Sequence, residues 1–225
     1  MLKADAVVLL SGGMDSLVCA ALALKDHKKV AFIHMNYGQR TSHKEQFCFE
    51  KISAFYAIPS ELQRMVDLRF LSQIGGSSLT DQNMSVATFD GDKPGIPSSY
   101  VPFRNSIILS LAVSWAEVLG AQHLYIGANE EDSPGYPDCR KEYYKAFQEV
   151  IHLGTKDGKI NIETPVISLT KQKIVELGVK LQAPFELTWS CYAESGQACG
   201  VCDSCALRLR GFKMANVKDP ISYRK

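Results

Sequence analysis

Ala6-Val7-Val8-Leu9, followed without a break by Leu10-Ser11-Gly12-Gly13-Met14-Asp15-Ser16, is the stretch that decides the fold. An apolar run with no polar alternation suits a strand buried on both faces, and the periodic segment over 15–25 suits a helix. The polar residues between them fall at a strand-to-helix turn. Two adjacent glycines there admit a left-handed backbone and let a ligand come close. Ser11, Ser16 and the free N–H groups of the helix start face an anion. The pattern reads as a cradle for the pyrophosphate of ATP. It is not a Walker loop, because no Gly-Lys-Ser/Thr follows and no lysine inside it can reach a terminal phosphate. The alternative, a Gly-Gly turn that merely connects a strand to a helix, is disfavoured by its position and by the Asp15-Ser16 pair.

Outward from this turn, apolar runs and helical patterns keep alternating, which predicts an α/β fold with a doubly wound, mostly parallel sheet of five strands. Strands are predicted at 30–35, 61–66, 123–127 and 161–163, and helices at 42–56, 105–119, 141–153 and 170–181. Residues 75–97 are rich in Gly, Ser, Asp and Pro and predict a long loop or small insertion over the mouth of the sheet. Ligands of such sheets bind beyond the carboxyl ends of the strands. Three polar segments should converge there: 11–16, Asn36-Tyr37-Gly38-Gln39-Arg40, and Gly127-Ala128-Asn129-Glu130-Glu131-Asp132.

The 225 residues suffice for one α/β domain, and 25 basic against 24 acidic side chains leave a net charge of +1. That balance gives no global field for nucleic acid and no polybasic tail for membranes, so a small-molecule substrate is expected. No signal-peptide pattern and no run of eighteen apolar residues occur, and a cytoplasmic location is the expectation.

Seven cysteines without a secretion signal point to metal binding, catalysis or packing rather than disulfides. Cys191, Cys199, Cys202 and Cys205 read as Cys-x7-Cys-x2-Cys-x2-Cys, the ligand set of a closed structural Zn2+ site, one per chain. An iron-sulfur cluster uses the same ligand type and is the alternative. The expected division is an ATP-using α/β domain over 1–185 and a zinc-binding segment over 186–225. Cys19 and Cys48 are read as inert core, and Cys139 as no nucleophile. His34 is expected to be packed in a buried strand. Arg208, Arg210 and Lys213 are expected to face solvent, as are Lys171 and Lys173, with one ammonium near the phosphates as the alternative for the latter two.

Ser-Gly-Gly-Met-Asp-Ser at 11–16 resembles the adenine nucleotide α-hydrolase-like superfamily, the ATP pyrophosphatases, a resemblance that makes 1–185 an ATP pyrophosphatase domain. Val101-Pro102-Phe103-Arg104-Asn105, Gly135-Tyr136-Pro137-Asp138-Cys139-Arg140, Thr188-Trp189-Ser190-Cys191-Tyr192 and the cysteine segment are similar to the signatures of the 7-cyano-7-deazaguanine synthase family. The resemblance covers nearly the whole chain. It implies a carbon-nitrogen ligase of queuosine biosynthesis that turns 7-carboxy-7-deazaguanine, ammonia and ATP into the 7-cyano compound through adenylated intermediates. It also implies a homodimer. Rival readings are a tRNA-modifying ATP pyrophosphatase of the thiolase or lysidine type, and a non-catalytic ATP-binding sensor.

Under that resemblance the ATP site takes Leu10, Ser11, Gly12, Gly13, Met14, Asp15, Ser16, Leu17, Val18, Cys19 and Ala20. Ser11, Asp15, Ser16 and Arg104 are the catalytic candidates. Asp15 either caps the helix or helps hold Mg2+, which a pyrophosphate leaving group calls for. Glu130, Glu131 or Asp132 would accept the donor pair of the deazaguanine ring. Arg104 or Arg140 would clamp the substrate carboxylate. Tyr136 or Trp189 would stack on the ring, and Asp138 completes the substrate set. An ordinary ion pair is the alternative for Arg104, and a packed aromatic for Trp189.

Overall fold

The computed structural model describes residues 2–91, 95–130 and 136–224. Five parallel strands run β1 (Ala6–Leu9), β2 (Val30–Asn36), β3 (Gln63–Asp67), β4 (His123–Ile126) and β5 (Asn161–Glu163). Their order across the sheet is β3-β2-β1-β4-β5. Central β1 is buried throughout, as its unbroken apolar run requires, whereas edge strands β3 and β5 carry polar and exposed positions. Helices α1 (Met14–Asp26), α2 (Ser42–Phe55), α3 (Phe70–Ile74), α4 (Arg104–Leu119), α5 (Lys141–Gly154), α6 (Lys171–Lys180) and α7 (Asp203–Met214) complete the chain. Strand order reverses beside β1, where β1 and β4 are neighbours, so their carboxyl ends flank a crevice.

The five-stranded parallel architecture agrees with the sequence reading. The third strand begins two residues later than predicted, because Ser60–Leu62 first makes a 3-10 turn after Pro59. Helix α3 was not foreseen, being only five residues long. The described part of 75–97 is a loop, as expected, yet it lies against the cysteine segment and contributes nothing to the lining of the crevice. Thr88 pairs with Cys202 in an antiparallel bridge, and Phe89 N donates to Val201 O at 2.8 Å. Arg40, the last residue of the 36–40 segment expected to converge, does not line the crevice. It turns to this loop and donates to the carbonyls of Ser78 (2.7 Å), Asp81 (2.5 Å) and Met84. Among the described residues no helix is long and apolar enough to cross a membrane.

Helix α7 packs across α6 at one tight contact. A Cβ on Gly211 would fall 2.7 Å from Lys171 Cβ, so only glycine lets the helices approach this closely. The tail past α7 folds back: Ala198 N donates to Ser222 O at 3.0 Å and Arg224 N to Ala198 O at 2.9 Å. Arg208, expected in solvent, is 1% exposed and forms a bidentate pair with Asp219 at 2.8 and 2.9 Å. Its remaining nitrogen, Nη1, donates to Thr188 Oγ1 at 2.7 Å and Ser190 Oγ at 3.3 Å.

Candidate active site

A cavity of about 250 Å³ opens at the carboxyl ends of β1 and β4. All three polar segments expected to converge contribute: Ser11 to Ser16 apart from Gly12, then Tyr37, then Gly127 to Asn129. Gly12 has φ +90°, and a Cβ there would lie 2.7 Å from Glu45 O, so both its conformation and its surroundings demand glycine. Gly127 is needed for space: its Cβ would meet Ser16 N at 2.6 Å. The end of β4 is thereby pressed onto the start of α1.

The loop holds its own shape. Ser11 Oγ and Ser16 Oγ lie 3.0 Å apart, Gly13 N donates to Ser11 Oγ at 3.2 Å, and Ser16 Oγ donates to Gly13 O at 3.0 Å. No side chain caps α1, so the first N–H groups of the helix remain for an anion, and the capping role considered for Asp15 is not realised. Asp15 Oδ2 instead accepts from Lys171 Nζ at 2.7 Å. Lys171 is 4% exposed, which overturns the expectation of a solvated lysine; Lys173 Nζ remains unassigned to the site. Asp15 Oδ1 is buried with no partner among the described residues. The loop therefore gains a cation from 156 residues away in sequence. Leu17, Val18, Cys19 and Ala20, included in the ATP segment, are fully buried in α1 and line no part of the cavity. Burial pushes the Cys19 thiol far up and that of Cys48 to about 11, in keeping with inert core residues. His34 is likewise in the core, its Nδ1 donating to Leu10 O at 3.0 Å.

Opposite the loop, Arg104 opens α4. Phe103 before it adopts a left-handed conformation, φ +55°, a strained geometry for a bulky residue that aims the next side chain. Arg104 Nη1 donates to Tyr37 OH at 2.9 Å, while its Nε is buried at the cavity without a partner among the described residues. Tyr136 lines the same end and bonds Ser99 Oγ at 2.6 Å; burial pushes its phenol up to about 12, so it stays neutral. Cys139 and Asn105 complete that wall.

Other substrate candidates lie elsewhere. Asp138 Oδ2 accepts from Asn105 N at 3.2 Å and so caps α4, and burial raises its carboxyl. Its side chain is absent from the cavity lining. Arg140 is exposed at the start of α5, and Glu130 accepts from Lys141 N at 3.1 Å, also away from the cavity. Glu131 and Asp132 lie outside the described residues. Trp189 does line the cavity, but its indole N–H is committed to Glu194 O at 2.9 Å. Ser190 and Tyr192, quoted within a signature segment but given no role, also line it, and so does Glu45, an ordinary glutamate of a first helical turn that the sequence did not single out.

The cysteine quartet forms next to this wall. The four sulfurs of Cys191, Cys199, Cys202 and Cys205 all lie within 4.8 Å of one another, with Cys199 and Cys205 at 3.9 Å. Tetrahedral Zn–S bonds of about 2.3 Å call for sulfurs about 3.8 Å apart, so the cage fits one such ion. Backbone N–H groups of Cys199 and Glu194 point at Cys191 Sγ, at 3.4 and 3.3 Å, and that of Cys202 at Cys199 Sγ, at 3.3 Å. Hydrogen bonds from Cys202 and Cys205 hold the Cys191 thiol far below its ordinary range. Trp189 N, two residues before the first of these cysteines, donates to Gly12 O at 2.9 Å and ties the cage to the phosphate loop.

This parallel sheet, with a glycine loop at the β1–α1 turn and a cysteine cage on its flank, defines an adenine nucleotide α-hydrolase-like α/β protein. The profile of the queuosine biosynthesis protein QueC matches residues 5–216, and the chain belongs to that family. A 7-cyano-7-deazaguanine synthase of Chlorobium phaeobacteroides is 58% identical over 221 residues, covering 98% of this chain and 97% of its own. One from Chlorobaculum tepidum is 55% identical over 219 residues, covering 97% and 96%. Among solved structures, a 4-thiouridine synthetase in complex with RNA and bound ATP superposes with a TM-score of 0.50 at 17% identity, covering 95% of this chain and 53% of its own. That likeness concerns the fold.

Proposed function

We propose that this protein is the ATP-dependent ligase that converts 7-carboxy-7-deazaguanine and ammonia to 7-cyano-7-deazaguanine in queuosine biosynthesis. The observation that carries the reading is one cavity with an anion cradle at Ser11 to Ser16 and a guanidinium, Arg104, on its other wall. Family membership supplies the substrate.

A carboxylate is a poor electrophile, because oxide would have to leave. Arg104 would hold the substrate carboxylate while one of its oxygens attacks the α-phosphate of ATP. Backbone N–H groups at Gly13 and Met14, the Ser11 and Ser16 hydroxyls, and the Lys171 ammonium would then stabilise departing pyrophosphate. Mg2+, when bound, would spread the charge of that leaving group, with Asp15 within its reach. Ammonia displaces AMP to give the amide, and a second adenylation removes the remaining oxygen. Tyr136 and Trp189 are the aromatic walls for the ring.

The four cysteines would hold one structural Zn2+, with no open position for water. Residues 1–185 form the nucleotide-using unit in this reading and 186–225 the metal-binding segment. Free ammonia is the nitrogen source, the protein works as a cytoplasmic homodimer, and it requires no nucleic acid or membrane. Substrate labelled with 18O in its carboxylate tests the chemistry. Label should appear in AMP; label in phosphate with none in AMP overturns the adenylate route.

A further inference from the structure

Among the described residues two acidic residues line the cavity, and only one of them has a cation. Asp15 is held by Lys171, whereas Glu45, half-buried in the first turn of α2, makes no ion pair among the described residues. Neutral donors orient it instead. Gln39 Nε2 donates to Glu45 Oε2 at 2.8 Å and Thr41 Oγ1 to Oε1 at 2.7 Å. Both donors are buried, and Gln39 itself accepts from Tyr37 N at 2.9 Å. Each carboxylate oxygen keeps acceptor capacity in a fixed direction.

Its position gives this meaning. The backbone of Glu45 packs against Gly12 of the phosphate loop, while Tyr37, linked to Glu45 through Gln39, accepts from Arg104. Glu45 thus stands between the loop and the guanidinium, the span that an acyl-adenylate has to bridge. A carboxylate facing a cavity without a counter-ion is relieved by a small cation. The nitrogen substrate exists at neutral pH almost wholly as ammonium.

We propose that Glu45 is the ammonium-binding carboxylate of the amide-forming step, an inference that rests on the ligase reading. Bound ammonium gives one proton to Glu45 and becomes ammonia. Its lone pair forms the N–C bond, and the acyl C–O bond breaks with its electron pair leaving on AMP. The proton on Glu45 and one from the new C–NH3+ group pass to solvent.

The test separates the two half-reactions. Glu45→Gln should leave exchange of labelled pyrophosphate into ATP, driven by 7-carboxy-7-deazaguanine without ammonium, within about twofold of the native rate, and raise the KM for ammonium at least about tenfold, as loss of a charge-assisted hydrogen bond implies. Raising the pH, so that free ammonia itself is abundant and no proton has to be taken from ammonium, should rescue kcat. An unchanged ammonium KM overturns the proposal, as does exchange that falls in step with turnover or a raised Mg2+ requirement, which would make Glu45 part of the nucleotide site. Should Glu45→Gln fail to fold, Glu45→Asp carries the same comparison, with ammonium KM raised and exchange kept. Native protein that shows no exchange and no turnover refutes the ligase reading itself, and this inference with it.

Discussion

Lys171 Nζ lies 2.7 Å from Asp15 Oδ2, and the lysine side chain is 5% exposed, the aspartate 19%. This pair joins the first helix of the sheet to the sixth and gives a lysine-free loop its positive charge. Packing of Gly211 against the lysine stem keeps it in place.

Lys171→Met leaves Asp15 without its cation. Pyrophosphate release should fall at least about 100-fold, the order seen when one preorganised transition-state donor is removed. Stability should fall by about 3 kcal/mol, because a mostly buried carboxylate loses its partner. Combining Lys171→Met with Asp15→Asn should recover most of that stability in urea unfolding and none of the activity. Native-like turnover in the single variant would remove Lys171 from the site.

Arg104 and Arg140 should behave differently. Arg104→Gln should raise the KM for 7-carboxy-7-deazaguanine by at least about tenfold while moving the KM for ATP little, the loss expected for a charge-assisted hydrogen bond. Arg140→Gln, at an exposed position outside the cavity, should leave both within about twofold, as is usual for surface substitutions. Initial-rate kinetics with each substrate varied in turn read this out.

Metal occupancy should control nucleotide affinity. Cys205→Ser opens the cage, and through Cys191 and the Trp189 N–H to Gly12 O bond it should loosen the phosphate loop. Metal analysis should find less than one zinc per chain, and calorimetry should find ATP binding weakened. ATP should in turn slow loss of zinc to a chelator, as linkage requires. Equal ATP affinity with and without zinc would uncouple the two.

Asp219→Ala strands a guanidinium that is 1% exposed. The expected cost is about 3–5 kcal/mol in denaturant unfolding, the penalty for breaking a buried pair. Since the family profile ends at residue 216, the partner that neutralises Arg208 lies in the tail beyond it.

Acid should weaken the fold in part through His34. Burial outweighs the Leu10 carbonyl and the nearby acids Glu45 and Glu50, and holds the imidazole below its ordinary 6.5. Unfolded chains therefore take up this proton first, so the contribution is intact above pH 6.5 and is lost as pH falls below it toward the folded value. His34→Gln should be less stable than native at pH 7.5 but show a shallower decline from pH 6.5 downward, measured by urea unfolding.

What the sequence disclosed follows from how local each signal is. The β1–loop–α1 turn and the cysteine quartet are contiguous patterns, and both are legible because their chemistry depends on spacing alone. Lys171 looked like an ordinary helix lysine, since its burial depends on a glycine 40 residues on that lets α7 come close. Arg208 misled for the same reason, its partner Asp219 sitting on a tail that has to fold back. Glu130 and Arg140 were placed at the substrate by their charge, as acceptor for the ring donors and clamp for the carboxylate, but Glu130 turns to the Lys141 N–H and Arg140 is exposed at the start of α5. Glu45 had no signal, because a glutamate in a first helical turn is commonplace.

Gly127 pressed onto Ser16 has a consequence for how the protein is made. β1 and β2 can pair as soon as both have left the ribosome, but the cradle takes its shape from Gly127, Lys171 and Trp189, all supplied much later in the chain. At roughly 5–20 residues per second, the nascent chain carries Ser11 to Ser16 for on the order of ten seconds before those partners exist. A half-translated protein holds the nucleotide motif and cannot use it, so ATP turnover waits for a finished fold.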